Sequence, residues 1–290
     1  MGGVMTKSWL FLLCLLISIM EVVMADGVKV GEVRWVVDRP YREGVSDLCK
    51  IDWALPESPN GRAIFFVHGG GWSAGRRQAW HACMEYFAER GYVCGSAGYR
   101  LVPDAIFPAQ FEDVRTAYGV FKRELAEHGA SAERIASFGS SAGGHLASML
   151  ATVDPEDDLG MTADAPLRET RPAATVALCT VFSCHKVGGY YAPKFFGGVT
   201  EDENPEIYAA ASPFSRVSGK EGPFVVVVGD KDKTTPLETQ EAMRQRLQEK
   251  GVRCDLHVLP GVDHGYGYGR ESPAQRAMLG IVYDFLQDVL

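Results

Sequence analysis

The sequence predicts an α/β fold with a mostly parallel central sheet of about eight strands, helices on both faces and a minimal cap. Short apolar runs alternate along the chain with amphipathic segments of helical length. Two of these runs, AIFFV at 63–67 and FVVVV at 224–228, are apolar at consecutive positions, as strands buried on both faces require. The 290 residues are 46% hydrophobic and 23% charged, which is typical of a globular chain.

Each element follows from its local pattern. Residues 28–37 and 48–55 predict two strands with no helix between them, so we expect an antiparallel entry into the sheet. Further strands are expected at 63–67, 92–96, 135–138, 175–181, 224–228 and 255–259. Helices are expected at 80–90, 111–127, 142–151, 239–250 and 272–290. Gly91 and Gly251 end two of these helices.

Two stretches do not fit this alternation. Residues 155–172 are polar and rich in turn residues, and residues 183–213 contain an aromatic cluster. The cluster comprises Tyr190, Tyr191, Phe195 and Phe196. Long irregular insertions in a compact domain often form lids or pocket walls. We expect this role for the second stretch, with an ordinary surface excursion as the alternative.

The first 25 residues have the three-part pattern of a secretory signal peptide. Lys7 provides a positive start, residues 9–20 are almost wholly apolar, and small residues lie near a cleavage site between Ala25 and Asp26. A membrane anchor is the alternative, but this apolar run is short of the ~20 residues that a span needs. We therefore expect a secreted or periplasmic protein with no stable membrane span in its mature form. Residues 26–290 contain no repeat or linker, which predicts a single domain.

The charge composition excludes one class of partner. Acidic side chains number 37 and basic ones 29, which gives a net charge of −8, and no Lys/Arg-rich run occurs. Because phosphate backbones are bound by basic surfaces, no nucleic-acid partner is expected.

Six cysteines remain once Cys14 leaves with the signal peptide. They are Cys49, Cys83, Cys94, Cys179, Cys184 and Cys254. In an oxidising compartment these residues could pair, and the sequence does not select a connectivity. Several could equally be small buried apolar side chains, since Cys94 and Cys179 lie inside strand-like runs. Disulfide pairing therefore stays open, and no cysteine spacing resembles a zinc site.

The strongest chemical signal is GSSAG at 139–143, a G-x-S-x-G motif between a predicted strand and a predicted helix. A nucleophilic serine must project from a very tight strand-to-helix turn, and glycines on either side let the backbone pass without Cβ clashes. Ser141 then lies at a helix N-terminus, where free N–H groups and the helix dipole stabilise a developing oxyanion. We predict Ser141 as a nucleophile.

A second motif, HGGGW at 68–72, directly follows the predicted strand at 63–67. A backbone that turns its N–H groups toward a substrate oxygen needs residues without side chains, whereas an ordinary glycine turn is the alternative. We predict Gly70 and Gly71, together with the N–H of Ala142, as oxyanion donors. His68 is expected to brace this loop.

An acid and a histidine are expected downstream, in that order. Asp230 and Asp232 both follow the strand at 224–228, and we predict Asp232 because Asp230 is close enough to the strand to serve its turn. His257 lies inside a predicted strand, whereas His264 lies on the following loop, where it can reach the nucleophile. We predict His264 as the general base.

These residues predict acyl transfer through a covalent acyl-enzyme. His264 removes the proton of Ser141 and later protonates the leaving group, while Asp232 orients the imidazole. No metal or organic cofactor is expected for this chemistry.

Five segments, in order and spacing, resemble the hormone-sensitive-lipase-like branch of the α/β hydrolases. The resemblance is greatest to the BD-FAE group of bacterial carbohydrate and feruloyl esterase-like proteins. The segments are HGGGW at 68–72, GYRLVPDAIFPAQFED at 98–113, FGSSAGGHLA at 138–147, GDKDKTTP at 229–236 and PGVDHGYG at 260–267. The resemblance implies the α/β-hydrolase fold, the same triad and the same oxyanion donors. It also implies that residues 99–101 and Asp113 are scaffold elements.

The resemblance and the predicted export together imply a secreted serine carboxylesterase. Its expected substrates are short-acyl esters, with acetyl or feruloyl groups on plant-type polysaccharides or oligosaccharides. The segment before the oxyanion strand is short, so no large N-terminal cap is expected, and an open pocket suits a short acyl group on a bulky alcohol.

Three aromatic residues are candidate pocket walls, although they could equally pack against one another. They are Trp72, Tyr266 and Tyr268. An amide hydrolase on the same fold and a catalytically inactive binding protein are the alternative functions, and the oligomeric state stays open.

Overall fold

A computed structural model describes residues 31–290. The predicted signal peptide, residues 1–25, lies outside the described residues, as does the start of the first predicted strand. Between residues 31 and 290, no helix has the length and the apolar character that crossing a bilayer requires.

A single sheet of eight strands organises residues 31–290, with strand order β1-β2-β4-β3-β5-β6-β7-β8. The strands are β1 Val33–Pro40, β2 Lys50–Pro56, β3 Gly61–Val67, β4 Val93–Ala97, β5 Ala130–Ser140, β6 Ala174–Leu178, β7 Phe224–Gly229 and β8 Cys254–Leu259. β2 runs antiparallel to both of its neighbours, and all other neighbouring strands are parallel. The predicted mostly parallel sheet with an antiparallel entry is therefore confirmed.

Seven α-helices lie between or after these strands in the described chain. They are α1 His81–Ala88, α2 Ala109–Glu124, α3 Ala142–Thr152, α4 Pro205–Ala210, α5 Pro213–Arg216, α6 Leu237–Glu249 and α7 Pro273–Val289. Short 3-10 turns occupy Arg77–Trp80, Leu125–His128 and Pro193–Phe196. The five predicted helices correspond to α1, α2, α3, α6 and α7.

Strand β3 shows why the sheet carries helices on both faces. Successive side chains of a strand point to opposite faces, so a continuous apolar run supplies two cores. Phe65 and Val67 join the core that contains Phe111 of α2 and Leu146 of α3. Ile64 and Phe66 join the opposite core, which contains side chains of α1 and α7.

The parallel strands bring several loops together. Strands β3, β5, β6, β7 and β8 all end at the same edge of the sheet, so the residues that follow them converge there. The segments after β3, β5, β7 and β8 are those that carry the four chemical motifs of the sequence.

The two insertions are held against the sheet by different means. In the first, the buried guanidinium of Arg115 donates hydrogen bonds to the carbonyls of Asp157, Leu159 and Arg168. In the second, residues 183–213 form only short helical turns, and Phe195 and Phe196 are buried in the core. Phe195 of this insertion stacks on Trp72, which lies in the segment after β3.

The structure shows whether the six cysteines form disulfides within residues 31–290. Cys49, Cys83, Cys94, Cys179, Cys184 and Cys254 are all buried with free thiols. They therefore act as small buried side chains in this structure, and none forms a disulfide in the described chain.

The core prediction can be tested at Phe66, whose ring lies against those of Trp80, Phe87 and Phe138 with centroids 4.8–6.3 Å apart. Replacing this fully buried ring in Phe66→Ala leaves a cavity and should lower the free energy of unfolding by about 3–5 kcal/mol. Urea denaturation followed by circular dichroism measures the change. The exposed control Val37→Ala should change it by less than about 0.5 kcal/mol. Equal losses in the two variants would contradict the described core.

Candidate active site

Ser141 occupies a sharp turn between β5 and α3. Its backbone has φ 55° and ψ −123°, a conformation that costs a non-glycine residue energy. The flanking glycines make the turn possible, because a Cβ on Gly139 would lie 2.2 Å from the carbonyl oxygen of Gly143. A Cβ on Gly143 would lie equally close, 2.2 Å, to the carbonyl oxygen of Val67. The Ser141 N–H donates to the carbonyl of Leu178 at 2.9 Å, which fixes the turn against β6.

The three residues predicted as a triad are joined by consecutive hydrogen bonds through the His264 ring. The Nε2 atom of His264 is 3.0 Å from Ser141 Oγ, and its Nδ1 atom is 2.8 Å from Asp232 Oδ2. Asp230 does not contact His264 in this way, because its carboxylate instead accepts a hydrogen bond from the Gly261 N–H at 2.7 Å. His257 lies on an exposed part of β8. The structure thus brings Ser141, Asp232 and His264 together and leaves the two alternative residues outside.

Asp232 is held in place by its own loop. Its Oδ1 accepts hydrogen bonds from the N–H groups of Thr234 and Thr235 at 2.9 and 2.8 Å. Its Oδ2 accepts another from the Thr235 hydroxyl at 2.9 Å, beside the bond to His264. These three donors hold the buried carboxylate in the orientation that faces the imidazole. Thr235 was not among the predicted site residues, because its role depends on how the loop turns back on itself.

His264 has a strongly shifted affinity for protons. Burial lowers its pKa, but the interactions of the ring with Cys179 and with the Asp232 carboxylate outweigh burial and raise the pKa to about 9. A raised pKa means that the imidazole tends to be protonated at neutral pH, whereas the predicted role of general base requires the neutral ring.

The predicted oxyanion donors surround the nucleophile. Gly70 and Gly71 have φ of 110° and 59°, and a Cβ on Gly70 would lie 2.2 Å from the carbonyl oxygen of Ala74. Ala142 is the first residue of α3, so its N–H has no partner within the helix. Within residues 31–290, the N–H groups of all three donate to no backbone acceptor outside regular elements. They border the same cavity as Ser141.

The oxyanion loop is braced from two sides. The ring of His68 stacks on Tyr99 at 4.3 Å, and the Tyr99 hydroxyl donates to the His68 carbonyl at 2.8 Å. Burial lowers the pKa of His68 to about 4, so this ring is neutral near pH 7. On the other side, the Tyr268 hydroxyl accepts a hydrogen bond from the Gly69 N–H at 2.6 Å. Both contacts hold backbone beside Gly70 and Gly71.

A cavity of about 250 Å³ opens at Ser141. Its lining comprises Gly70, Gly71, Trp72, Ser140, Ser141, Ala142, Val181, Tyr190, Thr234, His264, Gly265 and Tyr268. Trp72 and Tyr268 thus border the cavity. Tyr266 does not, because its hydroxyl donates to the Val227 carbonyl at 2.9 Å and its ring packs on the core. Its predicted position in the pocket wall therefore differs from its position in the structure.

Trp72 connects the cavity with the second insertion. Its ring stacks on Phe195 with centroids 4.2 Å apart, and its indole N–H donates to His145 Nδ1 at 3.3 Å. Tyr190, from the same insertion, lines the cavity mouth with its ring centroid 6.0 Å from that of Trp72. Tyr190 belongs to the aromatic cluster that was expected to form a lid or pocket wall. The wall residues Val181 and Thr234 were not predicted as such.

Cys179 is a further residue at the site that the motifs do not include. It directly follows β6, is fully buried and has φ 38°. Its Sγ lies 3.4 Å from the hydroxyl oxygen of Ser140, the residue before the nucleophile. The signal that could have found it is its place at the carboxyl end of a buried parallel strand, the same place from which the motif residues come.

This arrangement, with a triad and a glycine-rich loop on the carboxyl ends of a mostly parallel sheet, defines the α/β-hydrolase class. Residues 51–247 match the BD-FAE family, and the chain belongs to that family.

Curated relatives carry esterase names. The chain is 28% identical over 258 residues to esterase LipQ of Mycobacterium tuberculosis, covering 86% of this chain and 61% of that protein. It is 25% identical over 219 residues to an acetylxylan esterase of Xylanibacter ruminicola, covering 74% of this chain and 43% of that protein. With LipC and LipM of M. tuberculosis included, the chain spans 43–61% of the length of these curated relatives.

Solved structures share the fold. A thermophilic esterase from Thermogutta terrifontis has a TM-score of 0.73 at 23% identity, covering 89% of this chain and 92% of that one. A truncated carbohydrate esterase from gut microbiota has a TM-score of 0.73 at 19% identity, covering 89% of this chain and 96% of that one. At such identities the likeness establishes the architecture alone.

The role of Asp232 can be tested through the pH profile. Because a raised pKa keeps His264 protonated, kcat/KM for p-nitrophenyl acetate should rise with increasing pH through that pKa, above the ordinary value of 6.5. Asp232→Asn removes a charge that holds the pKa up and a group that orients the ring. We expect kcat to fall by ~10⁴-fold and the acid limb of the profile to move to lower pH.

Asp230→Asn is the matched control for this experiment, because it alters the neighbouring carboxylate that serves the turn. Its profile should keep the wild-type midpoint and lose little activity. If Asp230→Asn lost much more activity than Asp232→Asn, Asp230 and not Asp232 would be the residue that orients His264.

The bracing of the oxyanion loop can be tested at Tyr268. Tyr268→Phe leaves the Gly69 N–H without its acceptor, so the neighbouring donors become less well positioned. We expect kcat for p-nitrophenyl acetate to fall by about tenfold, equivalent to ~1.4 kcal/mol, with KM little changed. Tyr266→Phe removes a hydroxyl outside the cavity lining and should leave kcat near the wild-type value. A change confined to KM in Tyr268→Phe would mean that the hydroxyl contacts substrate and does not position the loop.

Proposed function

We propose that this protein is an exported serine carboxylesterase that hydrolyses short-acyl esters, with acetyl or feruloyl groups on plant-type carbohydrates as its substrates. The observation that carries the proposal is the alignment of Ser141 Oγ, His264 and Asp232 beside three backbone N–H groups. No other set of side chains described above combines a nucleophile, a base and an orienting acid at one cavity.

Acylation follows from the geometry. His264 Nε2, 3.0 Å from Ser141 Oγ, accepts the serine proton as the oxygen attacks the ester carbonyl carbon. Asp232 stabilises the resulting imidazolium through the bond to Nδ1. The N–H groups of Gly70, Gly71 and Ala142 stabilise the oxyanion, and one such donor is worth ~3 kcal/mol in related sites. The imidazolium then protonates the leaving alcohol.

Deacylation repeats these steps with water. A water molecule in the place of the departed alcohol gives its proton to His264 and attacks the acyl carbon, and the imidazolium returns a proton to Ser141 Oγ. The same three backbone donors stabilise the second tetrahedral intermediate, so each group described here acts twice per cycle.

The size of the cavity supports short acyl groups. Its volume of about 250 Å³ is below the ~300–1,000 Å³ of ordinary ligand pockets. Trp72 is packed against Phe195 and held by His145, so the cavity cannot widen on that side without breaking buried contacts. Long alkyl chains would therefore be excluded, while the open mouth beside Tyr190 leaves room for a bulky alcohol.

The carbohydrate part of the proposal has separate support. One curated relative is an acetylxylan esterase, and one structural neighbour is a carbohydrate esterase. The signal-peptide pattern of residues 1–25 would bring the protein to polymers that do not enter the cytoplasm.

The proposal is tested by hydrolysis of p-nitrophenyl esters from acetyl to decanoyl and by acetate release from acetylated xylan. We expect the acetyl ester to have the highest kcat/KM and acetate to be released from xylan. We expect kcat/KM to decline at least tenfold toward decanoyl, because Trp72 limits the space for a long acyl chain. Ser141→Ala should lower kcat by ~10⁶-fold in both assays, since the nucleophile is lost.

The controls separate the alternatives. Ser140→Ala removes the neighbouring hydroxyl and should retain most of the activity. A matched amide hydrolysed faster than the ester would favour an amide hydrolase, and an absence of turnover on every substrate would favour an inactive binding protein. Short-ester turnover without acetate release from xylan would keep the mechanism and overturn the polysaccharide substrate.

A further inference from the structure

Cys179 adds a thiol to the catalytic centre that ester hydrolysis does not use. Cys179 directly follows β6 and is fully buried. Its backbone φ of 38° is a strained conformation for a residue other than glycine. Its Sγ is 3.4 Å from the Oγ of Ser140, the residue before Ser141. Strained residues at catalytic centres point to a function for the conformation.

The thiol completes a group of metal-binding side chains. One donor atom from each of Cys179, Asp232 and His264 lies within 4.8 Å of the other two. Among residues 31–290 these three form the one set of at least three His, Cys, Asp or Glu side chains with donors so close together. A thiolate, an imidazole and a carboxylate are the ligands of zinc and of softer divalent ions.

We propose that Cys179, Asp232 and His264 form an inhibitory site for a thiophilic divalent cation such as Zn²⁺ or Cd²⁺. The cation is an inhibitor of this centre and has no part in hydrolysis. Three protein ligands and a water molecule would complete a four-coordinate site.

The distances permit this coordination with small movements. Ligand atoms around a tetrahedral Zn²⁺ lie about 3.3–3.5 Å apart, given metal–ligand bonds of about 2.0–2.3 Å. His264 Nδ1 and Asp232 Oδ2 are 2.8 Å apart, so these two atoms would separate by about half an ångström. One donor atom from each of the three residues lies within 4.8 Å of the other two, so the sulfur would approach its partners by a little over 1 Å at most.

Neighbouring groups already support the ligands. The Asp232 carboxylate accepts hydrogen bonds from the N–H groups of Thr234 and Thr235 and from the Thr235 hydroxyl. The Ser140 hydroxyl lies against the sulfur of Cys179. Such surrounding hydrogen bonds orient ligands and contribute about 10- to 100-fold to metal affinity.

Inhibition follows from the position of one proton. In the active form the neutral His264 ring carries its proton on Nδ1, toward Asp232, and Nε2 is free to accept the proton of Ser141. When Nδ1 binds the cation, the proton of the neutral ring moves to Nε2, which can no longer act as a base. The thiol proton of Cys179 is released to solvent as the metal–sulfur bond forms, and a His264 ring that starts as imidazolium releases one of its two protons as well.

The binding part is tested on the Ser141→Ala protein, which cannot turn over substrate. Titration with CdCl₂ by isothermal calorimetry should give one ion per chain, together with the ultraviolet absorption of a cadmium–thiolate bond. Adding Cys179→Ser should remove this absorption and weaken binding at least tenfold, since a ligand contributes no less than its supporting groups. Adding Cys254→Ser instead should change neither, because that buried thiol begins β8 at the opposite edge of the sheet.

The inhibition part rests on the proposed function and uses p-nitrophenyl acetate. ZnCl₂ and CdCl₂ should inhibit the wild type and the Cys254→Ser variant alike, and the inhibition constants should rise at least tenfold in Cys179→Ser. Each constant is measured relative to the variant's own rate without metal, so a change in basal rate does not affect the comparison. If the proposed esterase function fails, the calorimetric titration still decides whether the metal site exists.

Two results would overturn the proposal. One is that adding Cys179→Ser to the Ser141→Ala protein leaves its affinity for cadmium unchanged. The other is binding without inhibition in an active enzyme, which would remove the inhibitory role. Circular dichroism checks that Cys179→Ser folds, and if it does not, Asp232→Asn serves in the titration and should likewise weaken binding at least tenfold.

Discussion

The close approach of α3 to the end of β3 sets the geometry on which the site depends. A Cβ at Gly143 would meet the carbonyl oxygens of Val67 and His68 at 2.2 and 2.5 Å, so the helix can begin here only with glycine at that position. The contact joins the nucleophile turn to the oxyanion loop, because Val67 ends β3 and His68 begins that loop. Ser141 and the donors at Gly70 and Gly71 are therefore positioned by one backbone contact.

His145 extends this connection to the second insertion. Its Nδ1 accepts from the Trp72 indole at 3.3 Å, and its Nε2 donates to the Ala211 carbonyl at 2.6 Å. Burial lowers the pKa of His145 to about 4, so the ring stays neutral and keeps this single hydrogen-bonding arrangement. The insertion that walls the cavity is thus linked through one imidazole to the tryptophan next to the oxyanion donors.

The sequence predicts those parts of the site whose geometry depends on neighbouring residues in the chain. Ser141, Gly70 and Gly71 follow from steric requirements of their own turns, and His264 follows from its place after a strand. The supporting role of Thr235 and the position of Tyr266 could not be predicted, because they depend on how loops fold over one another. The predicted strand at 175–181 ends in the structure at Leu178, where the turn at Cys179 directs the chain toward the triad.

Backbone strain is concentrated at the candidate active site. Of the four non-glycine residues with positive φ among residues 31–290, three lie there: Trp72, Ser141 and Cys179. Each such conformation costs of order 1–3 kcal/mol, a large share of the ~5–15 kcal/mol by which a domain is stable. Selection for a more heat-resistant chain would therefore favour relaxing these very turns. The geometry of the candidate site persists only while the aromatic core on both faces of the sheet supplies stability in excess of that cost.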